Sequence, residues 1–241
     1  MGLTGHTGGG SDRLWRVGLA GAGAFGQFVL TALAPRADVM LTAVAARSRE
    51  RREAAIRTWQ ASRKRHGLPA DPVAEWDDAA ALAAGAPVDV VLVAVPPDLQ
   101  PAVARAAIAA GRAVLVEKPG ALAPEELAEV DRLARSRGVP AAINLVMRAN
   151  PLLARVRDWY RAGRLGAPER WHVENWAGGE LPPWHWFWER RRSGGVLVEH
   201  GVHFFDEVAW VLDARPAAAW SREWPHPRLP GGAARALAVV E

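Results

Sequence analysis

Cysteine is absent from the 241 residues. Disulfides and thiolate metal ligands are therefore excluded, a composition that suits a reducing cytoplasm. No apolar run has the length of a membrane span. The N-terminus MGLTGHTGGGSDR lacks the hydrophobic segment of a secretion signal. His6 stands where N-myristoylation of Gly2 would want Ser or Thr. A strong charge of one sign is missing too: the formal net charge is +4, from arginines scattered among acids. One predicted helix does gather Arg51, Arg52, Arg57, Arg63, Lys64 and Arg65. It reads as a solvated basic face, not as a nucleic-acid surface. What remains, 50% hydrophobic and 23% charged residues, is the composition of a soluble globular protein of one large or two modest domains. Tryptophan is abundant, and Trp171, Trp176, Trp184, Trp186 and Trp188 crowd into one short stretch.

Residues 1–12 are rich in Gly, Ser and Thr and read as a disordered tail. From residue 13 to 147 strand and helix patterns alternate. Strands are predicted at Arg16–Ala20, Val39–Ala46, weakly at Pro72–Ala74, at Val88–Val95, 113–117 and 140–146. Helices are predicted at Phe25–Leu33, Glu50–Arg65, Asp77–Ala84, 99–110 and 124–136. The run VDVVLVAV is apolar nearly throughout, as a strand covered on both faces requires. The alternation predicts an α/β domain with a doubly wound parallel sheet. Beyond 147 the rhythm changes, and residues 148–241 read as a second domain. It holds a helix at Leu152–Ala162, a possible strand at Glu169–Trp176, the Trp-rich loop, a further helix, and strand-like pieces at Ala217–Glu223 and Ala234–Glu241.

Between the first strand and first helix lies GAGAFG, with Gly21, Gly23 and Gly26 in GxGxxG spacing and Ala24 and Phe25 opening the helix. In this context the first glycine permits the tight turn, the second lets a pyrophosphate approach the backbone, and the third lets helix and strand pack closely. The helix N-terminus adds free N–H groups and a positive dipole end. A dinucleotide is the expected ligand. About 20 residues past the turn an NAD-selective site places an acid. Here Ala46, Arg47 and Ser48 occupy that region. A guanidinium and a hydroxyl suit a 2′-phosphate, which favours NADP(H) over NAD(H). The competing reading is that Ser48 only caps the next helix and Arg47 is solvated.

The segment GGVLVEHGVHFFD (194–206) is apolar yet carries Glu199, His200, His203 and Asp206. Read as one helix, it places Val198, Val202, Phe205, Ala209 and Leu212 on one stripe. Glu199, His203, Asp206 and Trp210 form a neighbouring polar stripe, with His200 aimed elsewhere. No third histidine or cysteine has metal-ligand spacing, so no metal site is expected.

The run VLVEKPGAL, with Glu117, Lys118 and Pro119, joins GAGAFG, VAVPPDLQ and SGGVLVEHGVHFFD in a pattern that resembles the Gfo/Idh/MocA oxidoreductase family from about residue 14 onward. The resemblance implies a Rossmann domain followed by an α/β domain with an open, mostly antiparallel sheet. That sheet is often used for oligomerisation, so a homo-oligomer is an expectation. Family members usually continue past this C-terminus, so the second domain reads as truncated. The resemblance places Lys118 near nicotinamide and substrate, and adds Pro96, Pro97 and Glu117 to the cofactor contacts. The family's D-x-x-x-H pair falls on Glu199 and His203, with glutamate in place of aspartate.

Interconverting an alcohol and a ketone needs a hydride transfer, which the nicotinamide supplies, and a proton transfer at oxygen. His203 is a suitable acid/base near neutral pH, with Glu199 orienting its ring. Lys118 either polarises the substrate oxygen or is itself the acid/base, and both roles stay open. Substrate contacts are expected from Trp186 in WHWFWERRR, whose rings suit stacking on a sugar, and from Arg148, Asn150 and Asp206. Packing of those tryptophans at an interface is the alternative. The expected function is oxidoreduction of a sugar, cyclitol or related small hydroxyl or carbonyl compound, in the cytoplasm, without nucleic-acid or membrane partners. Reduction of a C=N or C=C bond, or an inactive truncated nucleotide-binding protein, are the alternatives.

Overall fold

The computed structural model describes residues 13–176, 181–226 and 229–241. The proposed tail at 1–12 lies outside them. The chain divides into two compact units, and the division is not a single cut. Residues 96–101 and 116–129, which follow two of the central strands, group with the C-terminal unit.

The first unit is built on β1 (Trp15–Ala20), α1 (Ala24–Leu33), β2 (Val39–Ala45), α2 (Arg49–Arg65), β3 (Ala74–Trp76), α3 (Ala79–Gly85) and β4 (Val90–Val93). Next in the chain come a 3-10 turn at Pro97–Leu99, α4 (Gln100–Ala109), β5 (Ala113–Glu117), α5 (Pro124–Arg137) and β6 (Ala141–Asn144), of which the turn and residues 100–101, 116–117, 124–129 and 143–144 group with the second unit. The sheet order is β3-β2-β1-β4-β5-β6, and the β1–β2, β1–β4 and β2–β3 pairs are parallel. Order reverses at β1/β4, the position at which a doubly wound sheet opens a crevice. The valine- and alanine-rich sequence of β2 is buried at six of seven positions, because helices cover both faces. Leu19, Leu30, Leu41, Val44, Trp59 and Val91 are fully buried.

Two strands are shorter than the apolar patterns predict. β4 occupies only Val90–Val93 of the 88–95 run, and β6 ends at Asn144, where the chain turns into a 3-10 segment, Val146–Ala149. The weak strand expected at 72–74 forms at Ala74–Trp76. The basic face of α2 is not uniformly solvated. Arg63 is buried, donating to the backbone carbonyls of Pro69, Ala34 and Arg36 at 2.8, 3.2 and 2.6 Å. Its guanidinium also lies over Trp59, 5.2 Å from the ring centre. Helical periodicity does not reveal this, because two of the carbonyls come from the loop after α1 and the third from the loop that follows α2.

The second unit contains α6 (Pro151–Arg161), a 3-10 turn at Trp186–Trp188, α7 (Arg190–Ser193), α8 (Val196–Glu199), α9 (Val202–Leu212), and the antiparallel pair β7 (Ala219–His226) and β8 (Leu229–Val240). The possible strand at 169–176 does not form, and that backbone is irregular. The single helix expected across 198–212 is broken at His200–Gly201. There the Gly201 Cα approaches the previous turn so closely that a Cβ would sit 2.4 Å from the Leu197 carbonyl oxygen. The break rotates the stripes. On α9 the buried positions are Glu207 and Val211, while Phe205, expected to be packed, is exposed. α9 packs on α6, with Arg157 of α6 lying 4.3 Å from the Trp210 ring centre.

Glu207 is a buried carboxyl, and burial raises it above its ordinary pKa. Ionisation at neutral pH therefore works against folding. Below the ordinary carboxylate pKa the group is protonated in both folded and unfolded chains, and the penalty vanishes. Glu207→Gln is expected to raise Tm at pH 7 by about 2–4 °C, the shift of ~1 kcal/mol in a chain of this size. The gain closes as pH falls into the carboxylate range; equal melting of variant and wild type at both pH values would refute it.

Candidate active site

The first unit carries the glycine turn. Gly21 adopts φ 111°, and a Cβ there would lie 2.5 Å from the Ala94 carbonyl, so the turn is closed to any side chain. A Cβ on Gly26 would meet the Gly21 carbonyl oxygen at 2.2 Å. Gly23 differs: a Cβ there meets nothing within 4 Å among the described residues. Gly23 is also the N-cap of α1, with no side-chain cap and no acidic residue in the first turn. The leading N–H groups of α1 are thus left for an outside acceptor, with open space in front of them, which fits a pyrophosphate. Ala24 and Phe25 form the first turn of α1, and the Phe25 ring is 42% exposed.

At the end of β2, Arg47 is exposed and makes no hydrogen bond or ion pair among the described residues. The Ser48 oxygen accepts from the Arg51 N–H at 3.4 Å, capping α2 and leaving the hydroxyl hydrogen available. Arg52, absent from the candidates, is pinned nearby: it donates to the Ala46 carbonyl at 2.7 Å and to Glu75 at 3.0 Å. No spacing rule pointed to it, since its partners are the residue just after β2 and a residue of β3.

The second unit assembles the EKP residues with the broken helix. Lys118 donates to the Glu199 carbonyl oxygen at 2.7 Å and pairs with the Glu199 carboxylate. The carbonyl lies at the C-terminal end of α8, where a cation is favoured. Both side chains are mostly withdrawn from solvent, at 16% and 13% exposure. Glu199 thus binds Lys118 and not the His203 ring, contrary to the orienting role expected from helical spacing. The break at Gly201 is the cause, since it removes the one-turn relation between the two residues.

His203 is half-buried, and its Nδ1 is buried with no hydrogen-bond partner among the described residues. Burial, helped by the charges of Lys118 and His200, pushes its pKa below the ordinary imidazole value. His200 does not point away: its ring centre lies 6.1 Å from that of His203, and its Nε2 is 2.8 Å from the Asn175 Oδ1. Glu117 turns to Asn144, whose side-chain amide donates to it at 2.6 Å. Burial raises the Glu117 pKa despite that bond and the adjacent Lys118 charge.

The remaining candidates are placed as follows. Arg148 makes a two-pronged ion pair with Asp206, at 2.9 and 2.6 Å. Asn150 caps α6 by accepting from the Leu152 N–H at 2.9 Å. Trp186 lies tilted against His185 with ring centres 5.1 Å apart, and Trp188 tilted against His226 at 5.7 Å. Pro96 and Pro97 shape the 3-10 turn whose Asp98 accepts from Arg192 at 3.3 Å. Among the described residues no group of three or more His, Asp or Glu side chains is arranged to hold a metal, and no helix is long and apolar enough to cross a membrane.

Comparison with known proteins agrees with this layout. The profile of an oxidoreductase family with an NAD-binding Rossmann fold matches residues 15–145. That of the GFO/IDH/MocA C-terminal domain matches 153–228. The rhizopine catabolism protein MocA of Rhizobium meliloti is 29% identical over 202 residues, covering 84% of this chain and 58% of that protein. The 1,5-anhydro-D-fructose reductase of Ensifer adhaerens is 35% identical over 135 residues, covering 55% and 40%. Myo-inositol 2-dehydrogenase from Lactobacillus plantarum superposes with a TM-score of 0.73 at 17% identity, over 95% of this chain and 66% of that one. Scyllo-inositol dehydrogenase from Lactobacillus casei, solved with bound NAD(H) and scyllo-inositol, gives 0.72 at 16% identity, over 95% and 66%. At such identities the structures speak for the fold. The chain spans between 36% and 58% of the length of the first curated relatives it matches. With its Rossmann sheet, glycine turn and EKP strand end, the chain belongs to the Gfo/Idh/MocA oxidoreductase family.

Proposed function

We propose that the protein is an NAD(P)-dependent oxidoreductase acting on a hydroxyl or carbonyl carbon of a sugar, cyclitol or related small compound, with NADP(H) preferred. The observation that carries this reading is the Lys118–Glu199 ion pair in the same unit as His203, whose buried Nδ1 lacks a partner among the described residues. A nicotinamide, when bound, supplies the hydride acceptor or donor. Lys118 has three N–H donors. Two are engaged by Glu199, and the third polarises the substrate oxygen. His203, held neutral by its surroundings, takes the hydroxyl proton during oxidation and returns it during reduction. Glu199 balances the ammonium and fixes its direction. The partner-free Arg47 guanidinium and the Ser48 hydroxyl support the 2′-phosphate preference. A cysteine-free chain of this kind suits the cytoplasm.

The test is a fluorescence titration of the purified protein with NADPH and, separately, NADH, using the tryptophans as donors to the reduced nicotinamide. Saturable transfer, tighter for NADPH, is expected. Tighter NADH binding would overturn the cofactor preference, and no binding of either by a folded sample would overturn the dehydrogenase reading.

The pH dependence follows from His203. For oxidation the neutral imidazole is the active form, so kcat/KM rises with pH through the His203 pKa and then levels. Because burial and the Lys118 and His200 charges lower that pKa, the plateau is reached before the ordinary imidazole range ends. His203→Asn is expected to abolish the acid limb. A limb that persists unchanged in the variant would assign the proton to another group.

A further inference from the structure

Gln100 was not among the residues that the sequence singled out, yet its side chain is 1% exposed at the start of α4. Burying a primary amide is costly unless its donors and acceptor are used. Here both ends reach one short stretch of backbone. The Gln100 Nε2 donates to the Lys118 carbonyl oxygen at 3.3 Å, and the Gly120 N–H donates to the Gln100 Oε1 at 2.9 Å. One amide thus clamps the chain on both sides of Pro119.

The clamp acts on a constrained segment. Gly120 has φ 89°, and a Cβ there would lie 2.9 Å from the Ile143 side chain, so this turn is built for glycine. Asp98, two residues before Gln100, accepts from Arg192 of α7. The short 96–101 segment is therefore tied both to α7 and to the turn that carries Lys118.

We propose that Gln100 is a positioning residue for Lys118: by holding the Lys118 carbonyl and the Gly120 N–H, it keeps the ammonium on Glu199 and aimed at the substrate oxygen. The inference rests on the catalytic reading of Lys118 given above, but its geometric core does not. A point cation on a flexible four-carbon stem is directed only as well as its backbone is fixed.

The test exploits composition. Lys64 and Lys118 are the two lysines of the chain, and Lys64 lies exposed on α2. Limited acylation by acetic anhydride, quantified on peptides by mass spectrometry, gives the Lys118/Lys64 labelling ratio without any cofactor or substrate. In Gln100→Met, which keeps the volume and removes both hydrogen bonds, the ratio is expected to rise about five-fold or more. Gln100→Glu, assayed at a pH where the carboxyl is ionised, keeps the acceptor for Gly120 but lacks the donor to Lys118. It is expected to show a raised ratio too, since the bond to the Lys118 carbonyl is lost in both. Melting curves establish that each variant is folded, and a variant that does not fold is replaced by Gln100→Leu under the same readout.

On a substrate that the wild type turns over, kcat falls about ten-fold in Gln100→Met, with NADPH affinity within two-fold. An unchanged labelling ratio in folded variants would overturn the proposal, whatever the activity. A raised ratio with unaltered kcat would leave the clamp standing and refute the catalytic reading of Lys118, so the two failures are distinguishable.

Discussion

Lys118→Ala is expected to lower kcat by about 10³-fold while leaving NADPH affinity within two-fold. The magnitude is that of removing a positioned proton-transfer or charge-stabilising group. The prediction needs a stability control, because deleting Lys118 strands the mostly buried Glu199 carboxylate without its counter-charge. The paired variant Lys118→Met/Glu199→Gln removes both charges and retains the approximate volumes. It is expected to melt near the wild type and to remain as inactive as Lys118→Ala. Recovery of activity in the pair would show that Lys118 serves only to neutralise Glu199. His203→Ala is expected to lose about 10²–10⁴-fold as a proton-transfer group. Adding it to Lys118→Ala is expected to cost less than the product of the single losses, since the two act on one oxygen. Stopped-flow and steady-state rates on a common substrate check both.

The second large effect separates the nucleotide from the fold. Gly23→Ala is expected to weaken NADPH binding by about 10–100-fold, or ~1.4–2.8 kcal/mol, with Tm unchanged within about 2 °C. A Cβ on Gly23 meets nothing within 4 Å among the described residues, so a methyl there is expected to meet chiefly a bound ligand. Gly26→Ala is the contrasting case. Its Cβ would collide with the Gly21 carbonyl oxygen at 2.2 Å, so it is expected to destabilise the first unit by more than about 2 kcal/mol. The pair is checked by melting and by the tryptophan-to-NADPH titration. Equal affinity of Gly23→Ala and wild type would mean that no ligand backbone approaches this turn.

The first unit was largely legible in the sequence because its signals are local. The β1–turn–α1 unit combines an apolar strand, three spaced glycines and a helix in one continuous stretch, Trp15–Leu33, and the parallel sheet follows from alternation. The site in the second unit was legible only as a set of residues. Lys118, Glu199 and His203 were identified through motif resemblance, but their mutual arrangement was misjudged. Helical periodicity assumes an unbroken helix, and the close approach at Gly201 to the Leu197 carbonyl is a three-dimensional fact. Glu199 consequently reaches Lys118, and His200 lies near His203, where the spacing put it on another face. Gln100, Asn144 and Arg52 escaped notice for a related reason. Each is an ordinary polar residue whose role is set by partners 20, 27 and 23 positions away. The one weak signal was the place of Gln100 at the end of VAVPPDLQ, directly after the turn that follows the central strand.

Isotope transfer tests the central claim most directly. The protein is incubated with NADP⁺ and a panel of ring-deuterated sugars and cyclitols, and the reduced cofactor is analysed by mass spectrometry. Deuterium is expected in the NADPH with at least one member of the panel, and none with Lys118→Ala/His203→Ala at equal nucleotide occupancy. A folded, nucleotide-saturated wild type that transfers no label to NADP⁺ or NAD⁺ from any of them, or a double variant that transfers it as fast as wild type, would contradict it.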